Sequence, residues 1–385
     1  MSTRKPPVLV TKAGWSKLAL GTGYSLGQSA GFAGVLATSR TARAVHGFRQ
    51  ARLAISGTGT EIDILVVMPL PEKALIAGIR RAARKGKGAV ATGIGDDCAV
   101  LRPPPGHEIL VTTDFTLEGI HFRRDWHPPE VVGRRCLTRG LSDIAAMGGR
   151  PLAVFLSLAL PARLPQRWVD RFMSGLLELA GEFKVQLSGG DTAESPGGAL
   201  ADIVVLGSVP KGTAILRSGA KAGDRIYVSG ELGGGSAALE EFFAGRKPRP
   251  QDFRRHFHPV PRIAIGNFLR ARRLASAMID LSDGLSTDLT HICDGSGVGA
   301  EIFAFNIPRA LVGRARKPVD LNLALHGGED YELLFTVPAG KRVPARIAGV
   351  PITAIGRVTR SRAIVLRRET GAAEKLEPRG WEHFK

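Results

Sequence analysis

The chain reads as an α/β (α+β) protein of two domains, on three observations. Its 385 residues suit about two domains of ordinary size. From Leu75 onward, short apolar runs alternate with stretches of helical spacing, the pattern of strands interleaved with helices. The chain then changes character near 211–224, through Lys211-Gly212-Thr213 and Ala222-Gly223-Asp224, and a similar order of elements begins again. The expected blocks are an N-terminal extension at 1–67, a first domain at 68–212 and a second at 213–385.

The extension carries eight Lys and Arg against two acids, Glu61 and Asp63, with Ser, Thr, Gly and Ala between them. That composition resembles a transit peptide, while the lack of a compact apolar stretch argues against a secretory signal. We adopt a third reading, in which translation starts at Met68 and the extension is disordered or not native. GTGYSLG at 21–27 has no clear strand before it and is a weak phosphate-loop match. A first helix follows at 71–80. Residues 108–114 form a short strand that Thr112, Thr113 and Asp114 close. Residues 129–147 have helical spacing, with Val132, Cys136, Leu137, Ile144 and Met147 on one face. A strand at 152–160 ends at Pro161; its nine residues are too few to span a bilayer. A helix at 164–183 leads through 184–187 into a Gly189-Gly190-Asp191 turn. A strand at 203–209 ends at Pro210. The second domain opens with a strand at 225–229, a Gly-rich turn and a helix at 236–243. Residues 244–262, rich in Pro, Arg and His, read as a loop.

Composition excludes several classes. With 44% hydrophobic and 23% charged residues, the chain is an ordinary globular protein, not a disordered one. Cys98, Cys136 and Cys293 form no CxxC pair, so neither a disulfide framework nor a zinc ribbon is supported. Lys and Arg number 53 against 35 acids, a net charge of +18, which would suit a polyanion partner. The basic residues are scattered, however, and aromatics are only 6%, too few for a base-stacking platform. We expect no specific nucleic-acid partner and no membrane association.

The acids are placed more tellingly. Asp96 and Asp97 follow Gly93-Ile94-Gly95, Asp114 follows two threonines, Asp143 lies in Leu-Ser-Asp, and Asp191 in Ser-Gly-Gly-Asp. Asp280 and Asp283 share Ile-Asp-Leu-Ser-Asp-Gly, and Glu329 and Asp330 follow two glycines. Any one such Asp is an ordinary helix cap or Asx turn. Six such junctions, rich in hydroxyls and carbonyls, suit a hard cation such as magnesium, which takes carboxylates, waters and substrate phosphates. The turn at 229–236, Ser-Gly-Glu-Leu-Gly-Gly-Gly-Ser, would offer backbone N–H groups to a phosphate, although it is neither a Walker A loop nor a dinucleotide fingerprint. Arg217 is a candidate phosphate fork. The two expected domains hold no GxSxG elbow, since Gly23-Tyr24-Ser25-Leu26-Gly27 lies in the extension without a strand before it, and no HExxH motif occurs. Among nine histidines, His121 stands out seven residues after Asp114.

GIGDDCAVL, TTDFTLEGIHF, LSDIAAMGG, LSGGDT, IDLSDGL, HGGEDYELLF and GWEHF occur in that order from 93 to 384. The ordered set resembles the thiamine-monophosphate kinases, a family of the aminoimidazole-ribonucleotide synthetase-like superfamily, over residues 71–385. The resemblance implies the two-domain synthetase-like fold, with N-terminal sheets pairing in a cytoplasmic homodimer. It implies that ATP and thiamine monophosphate give ADP and thiamine diphosphate, with several Mg²⁺ ions. By motif, Asp97, Thr112, Thr113, Asp114, Asp143, Asp191 and Asp280 would bind magnesium and Asp283 a further ion, with Asp114, Asp143 and Asp191 at the centre of catalysis. Gly190, Asp191, Arg217 and Ser282 would meet ATP; His121, Glu329 and Trp381 would meet thiamine monophosphate. The triple glycine 233–235 departs from the less uniform loop expected in the family.

The implied chemistry needs positioning and charge neutralisation more than a general base. Sister enzymes of the superfamily are the main alternative. Selenophosphate synthetase calls for a reactive Cys, and Cys98 inside GDDCA reads as structural. The hydrogenase-maturation dehydratase calls for a C-terminal cysteine, and this chain ends Trp-Glu-His-Phe-Lys. A polyanion binder is a more distant alternative. A catalytically dead paralogue is disfavoured by the full set of Asp positions.

Overall fold

Burial alternates along Ile109-Leu110-Val111-Thr112-Thr113-Asp114-Phe115-Thr116, with Leu110, Thr112, Asp114 and Thr116 on the inner face, the period of a half-buried strand. That strand is the edge of the first sheet. The computed structural model describes residues 70–83 and 88–384; the expected extension at 1–67, with its Gly-rich match, lies outside them. The first half comprises α1 (Glu72–Ala82), β1 (Val90–Thr92), β2 (Val100–Leu101), β3 (His107–Leu117), α2 (Pro129–Ala146), β4 (Arg150–Pro161), α3 (Gln166–Glu182), β5 (Gln186–Ser195) and β6 (Leu200–Pro210). The sheet runs β3-β6-β4-β5. Only β4 and β5 are parallel. Leu110 and Thr116 of β3 are buried, while Ile109, Val111 and Phe115 of the opposite face are exposed.

Two sequence expectations are corrected here. Thr112, Thr113 and Asp114 do not close their strand: β3 continues to Leu117 because β6 pairs with its whole length, ending at Leu117 opposite Leu200. Gly189-Gly190-Asp191 is not a turn but the middle of β5, paired with β4 from Phe155 to Ser157. The glycine is needed for closeness rather than for turning. Gly190 has φ +148°, and a Cβ there would lie 1.8 Å from the Leu156 carbonyl oxygen.

α2 was expected to bury one face, but it is buried nearly all round, including Arg134, Arg135, Thr138 and Ser142. Val132, Cys136, Leu137 and Ile144 lie in the core as expected, and Met147 becomes the C-cap. α2 and α3 approach closely at two glycines. A Cβ on Gly133 would lie 1.9 Å from the Phe172 carbonyl oxygen, and one on Gly175 would lie 1.9 Å from that of Glu130. Gly175→Ala should therefore force the helices apart and destabilise by roughly 1–3 kcal/mol, the usual cost of overpacking. A thermal melt checks this, and an unchanged midpoint would refute the tight crossing.

The second half comprises β7 (Arg225–Ser229), α4 (Gly234–Phe243), α5 (Arg254–Phe257), α6 (Ile263–Ala271), β8 (Ala277–Asp280), α7 (Leu285–Ser296), β9 (Gly299–Phe303), β10 (Leu311–Val312), β11 (Lys317–Pro318), α8 (Leu321–His326), β12 (Leu333–Val337), β13 (Arg346–Ile347), β14 (Val350–Thr359), β15 (Ile364–Arg367) and β16 (Ala373–Lys375). Its sheet is ordered β16-β15-β9-β14-β7-β12-β8, with β13 on β14. α4 starts two residues earlier than expected. The expected loop at 244–262 contains α5, whose single turn is pinned by buried Phe253, His256 and Phe257.

All described residues belong to one compact unit, and α2 joins its halves. Ala145 and Ala146 pack with Met278, Leu333 and Phe335 of the second sheet, and Val131 packs with the cluster around Phe242 and Phe257. Beside it, His127 Nε2 lies 2.9 Å from His256 Nε2, and His256 Nδ1 lies 2.7 Å from the Gly235 carbonyl oxygen. Burial, then the Arg135 charge, pushes His127 down to about 4 and His256 well below its ordinary value. A histidine whose folded pKa is depressed contributes stability above its unfolded value of about 6.5, and loses it as pH falls toward the folded value. The native chain's stability advantage over His127→Gln should shrink by roughly 2 kcal/mol between pH 7 and pH 5. Denaturant titrations of both chains at the two pH values check this; a constant difference would contradict it.

Candidate active site

Three elements deliver acids to one place. β3 brings Asp114 beside Asp143, one turn before the end of α2, and β8 ends in Asp280. Asp114 and Asp143 share a hydrogen bond, and the Thr112 hydroxyl donates to Asp143 Oδ2. Burial first, then the Asp143 charge, pushes Asp114 up to about 7. The same two causes push Asp280 up to about 8. Burial also raises Asp143, against the Thr112 hydrogen bond and the Arg217 charge. Arg217 is exposed, yet its charge acts on Asp143, Asp280 and Asp283. It therefore stands at the edge of this cluster. Like-charged carboxyls crowded out of water hold protons unless a cation offsets them.

The Glu329 carboxylate is the hub of a second cluster. The Arg135 guanidinium donates to its Oε2, and Arg139 Nη2 donates to Oε1 at 2.6 Å. Burial alone would raise Glu329, but these two cations outweigh it and hold the carboxyl at about 2. Glu329 and Tyr331 both have left-handed backbones, φ +65° and +51°, conformations that cost about 1–3 kcal/mol each and gather at functional loops. His121 accepts at Nδ1 from the Leu117 N–H at 3.0 Å. Burial, then the Arg139 charge, lowers it to about 4, so it is neutral near pH 7 and carries its proton on Nε2. Its ring centroid lies 5.6 Å from that of His383, which lies 5.6 Å from that of Trp381. Trp381 is half-exposed, its backbone N–H donates to the Asp283 carbonyl oxygen at 3.2 Å, and its indole N–H donates to His383 Nε2 at 3.4 Å.

Other expected residues stand apart from the first cluster. Asp191 is on β5, three strands from Asp114 in the sheet, about 14 Å at ordinary strand spacing; one magnesium ion cannot bind both. Gly190 precedes it. Asp97 is exposed on the loop after β1, its N–H donating to Asp96 Oδ1 at 3.0 Å. Thr113 is also turned away, its hydroxyl donating to Asp202 Oδ1 at 2.8 Å. Asp202 and Asp191 both pair with Ser157 and so flank it in one row. Ser282 meets the Glu329 loop through its carbonyl oxygen, which accepts from the Glu329 N–H at 2.8 Å. Asp283 is grouped with Asp288 and His291, their ligand atoms all within 4.8 Å of one another.

The Gly-rich turn before α4 is not free for a phosphate, as the sequence suggested. Asp330 already accepts from the Gly233 N–H at 2.6 Å and the Gly235 N–H at 3.0 Å. Its triple glycine is a packing requirement. A Cβ would lie 2.8 Å from Ala324 N at Gly233, 2.5 Å from Arg255 Cδ at Gly234, and 2.5 Å from the Glu329 carbonyl oxygen at Gly235. Sequence reasoning missed Arg135, Arg139, Asp202, Asp288, His291 and His383. Only the spacing of Arg135, Arg139 and Asp143 at successive four-residue steps signalled a shared helix face.

Comparison with known proteins sets the class first. Residues 95–209 match the family model "AIR synthase related protein, N-terminal domain", and 221–369 match the corresponding C-terminal domain. Within that class, the Escherichia coli K12 thiamine-monophosphate kinase is 38% identical over 328 residues, covering 82% of this chain and 99% of that protein. The solved thiamine-monophosphate kinase of Stenotrophomonas maltophilia K279a is 35% identical, covers 76% of this chain and 95% of its own, and superposes with a TM-score of 0.67. A structure of AaThiL complexed with AMPPCP and TMP is 31% identical over 73% of this chain and 89% of that one, with a TM-score of 0.64. The chain belongs to the thiamine-monophosphate kinase family.

Proposed function

We propose that this chain transfers the γ-phosphoryl group of ATP to thiamine monophosphate, giving ADP and thiamine diphosphate. The observation that carries this reading is the convergence of Asp114, Asp143 and Asp280, from β3, α2 and β8, beside the Arg139–Glu329–His121 wall. Family membership supports the reaction, and a relative complexed with AMPPCP and TMP supports the substrate pair.

The donors fit magnesium. Apart from His291 they are hard oxygens, and carboxyls that cling to protons at about 7 and 8 would exchange them for a cation. We assign Asp97, Thr112, Thr113, Asp114, Asp143, Asp191 and Asp280 to magnesium ions, and Asp283, with Asp288 and His291, to a further ion. When bound, such ions would neutralise the triphosphate of ATP and the phosphate of the acceptor and would polarise the transferred group. Gly190, Asp191, Arg217 and Ser282 hold ATP, Arg217 offering a guanidinium fork at the cluster's edge. His121, Glu329 and Trp381 hold the acceptor, with the indole against its aromatic end. The acceptor's phosphate oxygen is already anionic at neutral pH, so the chain supplies alignment rather than a base. Catalysis rests on Asp114, Asp143 and Asp191.

The exposed Ile109, Val111 and Phe115 of β3 support a homodimer paired through this sheet, and the bacterial kinase relatives support a cytoplasmic location. Among the described residues, no helix is long and apolar enough to cross a membrane.

The test is ADP release with direct detection of thiamine diphosphate, using ATP, Mg²⁺ and either thiamine monophosphate, thiamine or an aminoimidazole precursor. Product from the monophosphate alone, and only with Mg²⁺, is the expected result. ATP turnover without it would move the chain to a sister reaction.

A further inference from the structure

α2 carries a polar stripe, Arg135, Arg139 and Asp143, one turn apart on a helix that is otherwise almost wholly buried. The two arginines sit on the same carboxylate but are not equivalent. Arg135 has a side chain 5% exposed, and both of its terminal nitrogens are taken, Nη2 by Glu329 and Nη1 by His256 at 3.2 Å. Arg139 has a side chain 15% exposed and one partner among the described residues, Glu329 through Nη2. A guanidinium carries five N–H donors in a fixed fork, and buried donors are almost always satisfied. None of the nitrogens of Arg139 is among the buried, partnerless polar atoms, so Nε and Nη1, which have no partner among the described residues, reach solvent.

The surroundings define what those donors await. The charge of Arg139 acts on Asp114, His121, Glu329 and Asp283. It therefore stands between the acidic cluster and the proposed acceptor wall. Two guanidiniums share one Glu329 carboxylate, so among the described residues one positive charge has no ion-pair partner of its own. A half-used fork with a surplus charge matches a phosphate, which it can grip through two oxygens.

We propose that Arg139 is a substrate-binding residue that grips the phosphate of the acceptor and points it toward the acidic cluster, while Arg135 only fixes Glu329. This rests on the reading of the site as a thiamine-monophosphate kinase. Arg139 then separates phosphorylated from unphosphorylated acceptors, because only the former fills its open donors.

The experiment compares the full-length native chain with Arg139→Gln, Arg139→Lys and Arg135→Gln. It reads KM for thiamine monophosphate, KM for ATP, and the inhibition constant of thiamine as a competitor that lacks the phosphate. Arg139→Gln should raise the KM for thiamine monophosphate about 10- to 100-fold, the range of a charge-assisted hydrogen-bond pair. KM for ATP and the thiamine constant should stay within about threefold, and Arg139→Lys, which keeps the charge but not the fork, should fall between. Arg135→Gln should weaken thiamine and its monophosphate alike. Equal weakening of both by Arg139→Gln would overturn the proposal, leaving Arg139 as a prop for Glu329. If Arg139→Gln does not fold, Arg139→Lys decides: an unchanged KM for thiamine monophosphate overturns it. A native chain that releases no ADP with thiamine monophosphate refutes the kinase reading itself, a separate failure seen before any variant is made.

Discussion

Asp114→Asn should lower turnover by at least ~10²-fold, the typical loss for one key electrostatic group, while leaving the fold intact. The side chain is nearly unchanged in size, so packing under α2 is preserved. In the native chain Asp114 crowds Asp143 within low-dielectric surroundings, and burial and then the Asp143 charge push it up to about 7. The amide removes one of the repelling charges. The thermal midpoint of the variant should therefore equal or exceed the native one, even as activity collapses. A variant that loses activity by unfolding, or that turns over almost normally at saturating Mg²⁺, would count against the role proposed for this carboxylate.

Glu332→Leu should be the most damaging change away from the acidic cluster. Glu332 is fully buried. Its carboxylate accepts from the Ser229 hydroxyl at 2.5 Å, from Arg255 Nη1 at 2.7 Å and from Arg262 Nε at 2.7 Å. Gly230 makes room for it, since a Cβ there would lie 2.0 Å from Glu332 Oε1. Removing one partner of a buried pair leaves the other charge uncompensated, at a cost of about 3–5 kcal/mol. In a protein of this size that lowers the thermal midpoint by roughly 5 °C. The half-exposed pair Arg368–Glu374 serves as the control. Glu374→Gln should cost less than about 1 kcal/mol. Equal effects of the two substitutions would show that the Glu332 network contributes no more than a surface pair.

What the sequence made legible was local. Asp114, Asp143 and Asp280 could be singled out because each sits among small polar residues at the margin of an apolar segment. Their meeting depends on β3, α2 and β8, which spacing alone does not bring together. Asp202 was hidden because a single acid in Leu-Ala-Asp-Ile-Val-Val looks like an ordinary outward strand residue. Only the pairing of β6 with β3 reveals that Thr113 is its partner. Arg135 and Arg139 were missed because arginines on a helix normally face water, and here the Glu329 loop engages both and His256 of α5 also engages Arg135. The glycines misled most. Gly189 and Gly190 signal a turn by residue type, yet they serve close strand packing. Gly233 and Gly235 suggest a phosphate loop, yet Asp330, 97 and 95 residues away, occupies their N–H groups.

α2 contributes residues to all three apolar clusters: Val131 to one, Cys136 and Leu137 to another, Ala145 and Ala146 to the third. The two halves are thus not interchangeable modules, although the chain crosses between them only once, at 211–224. A chimaera that takes one half from a distant homologue inherits an α2 shaped for a different counterpart. Viable recombinants between family members should therefore depend less on where the crossover falls than on whether the incoming half presents the surface to which this helix is already fitted.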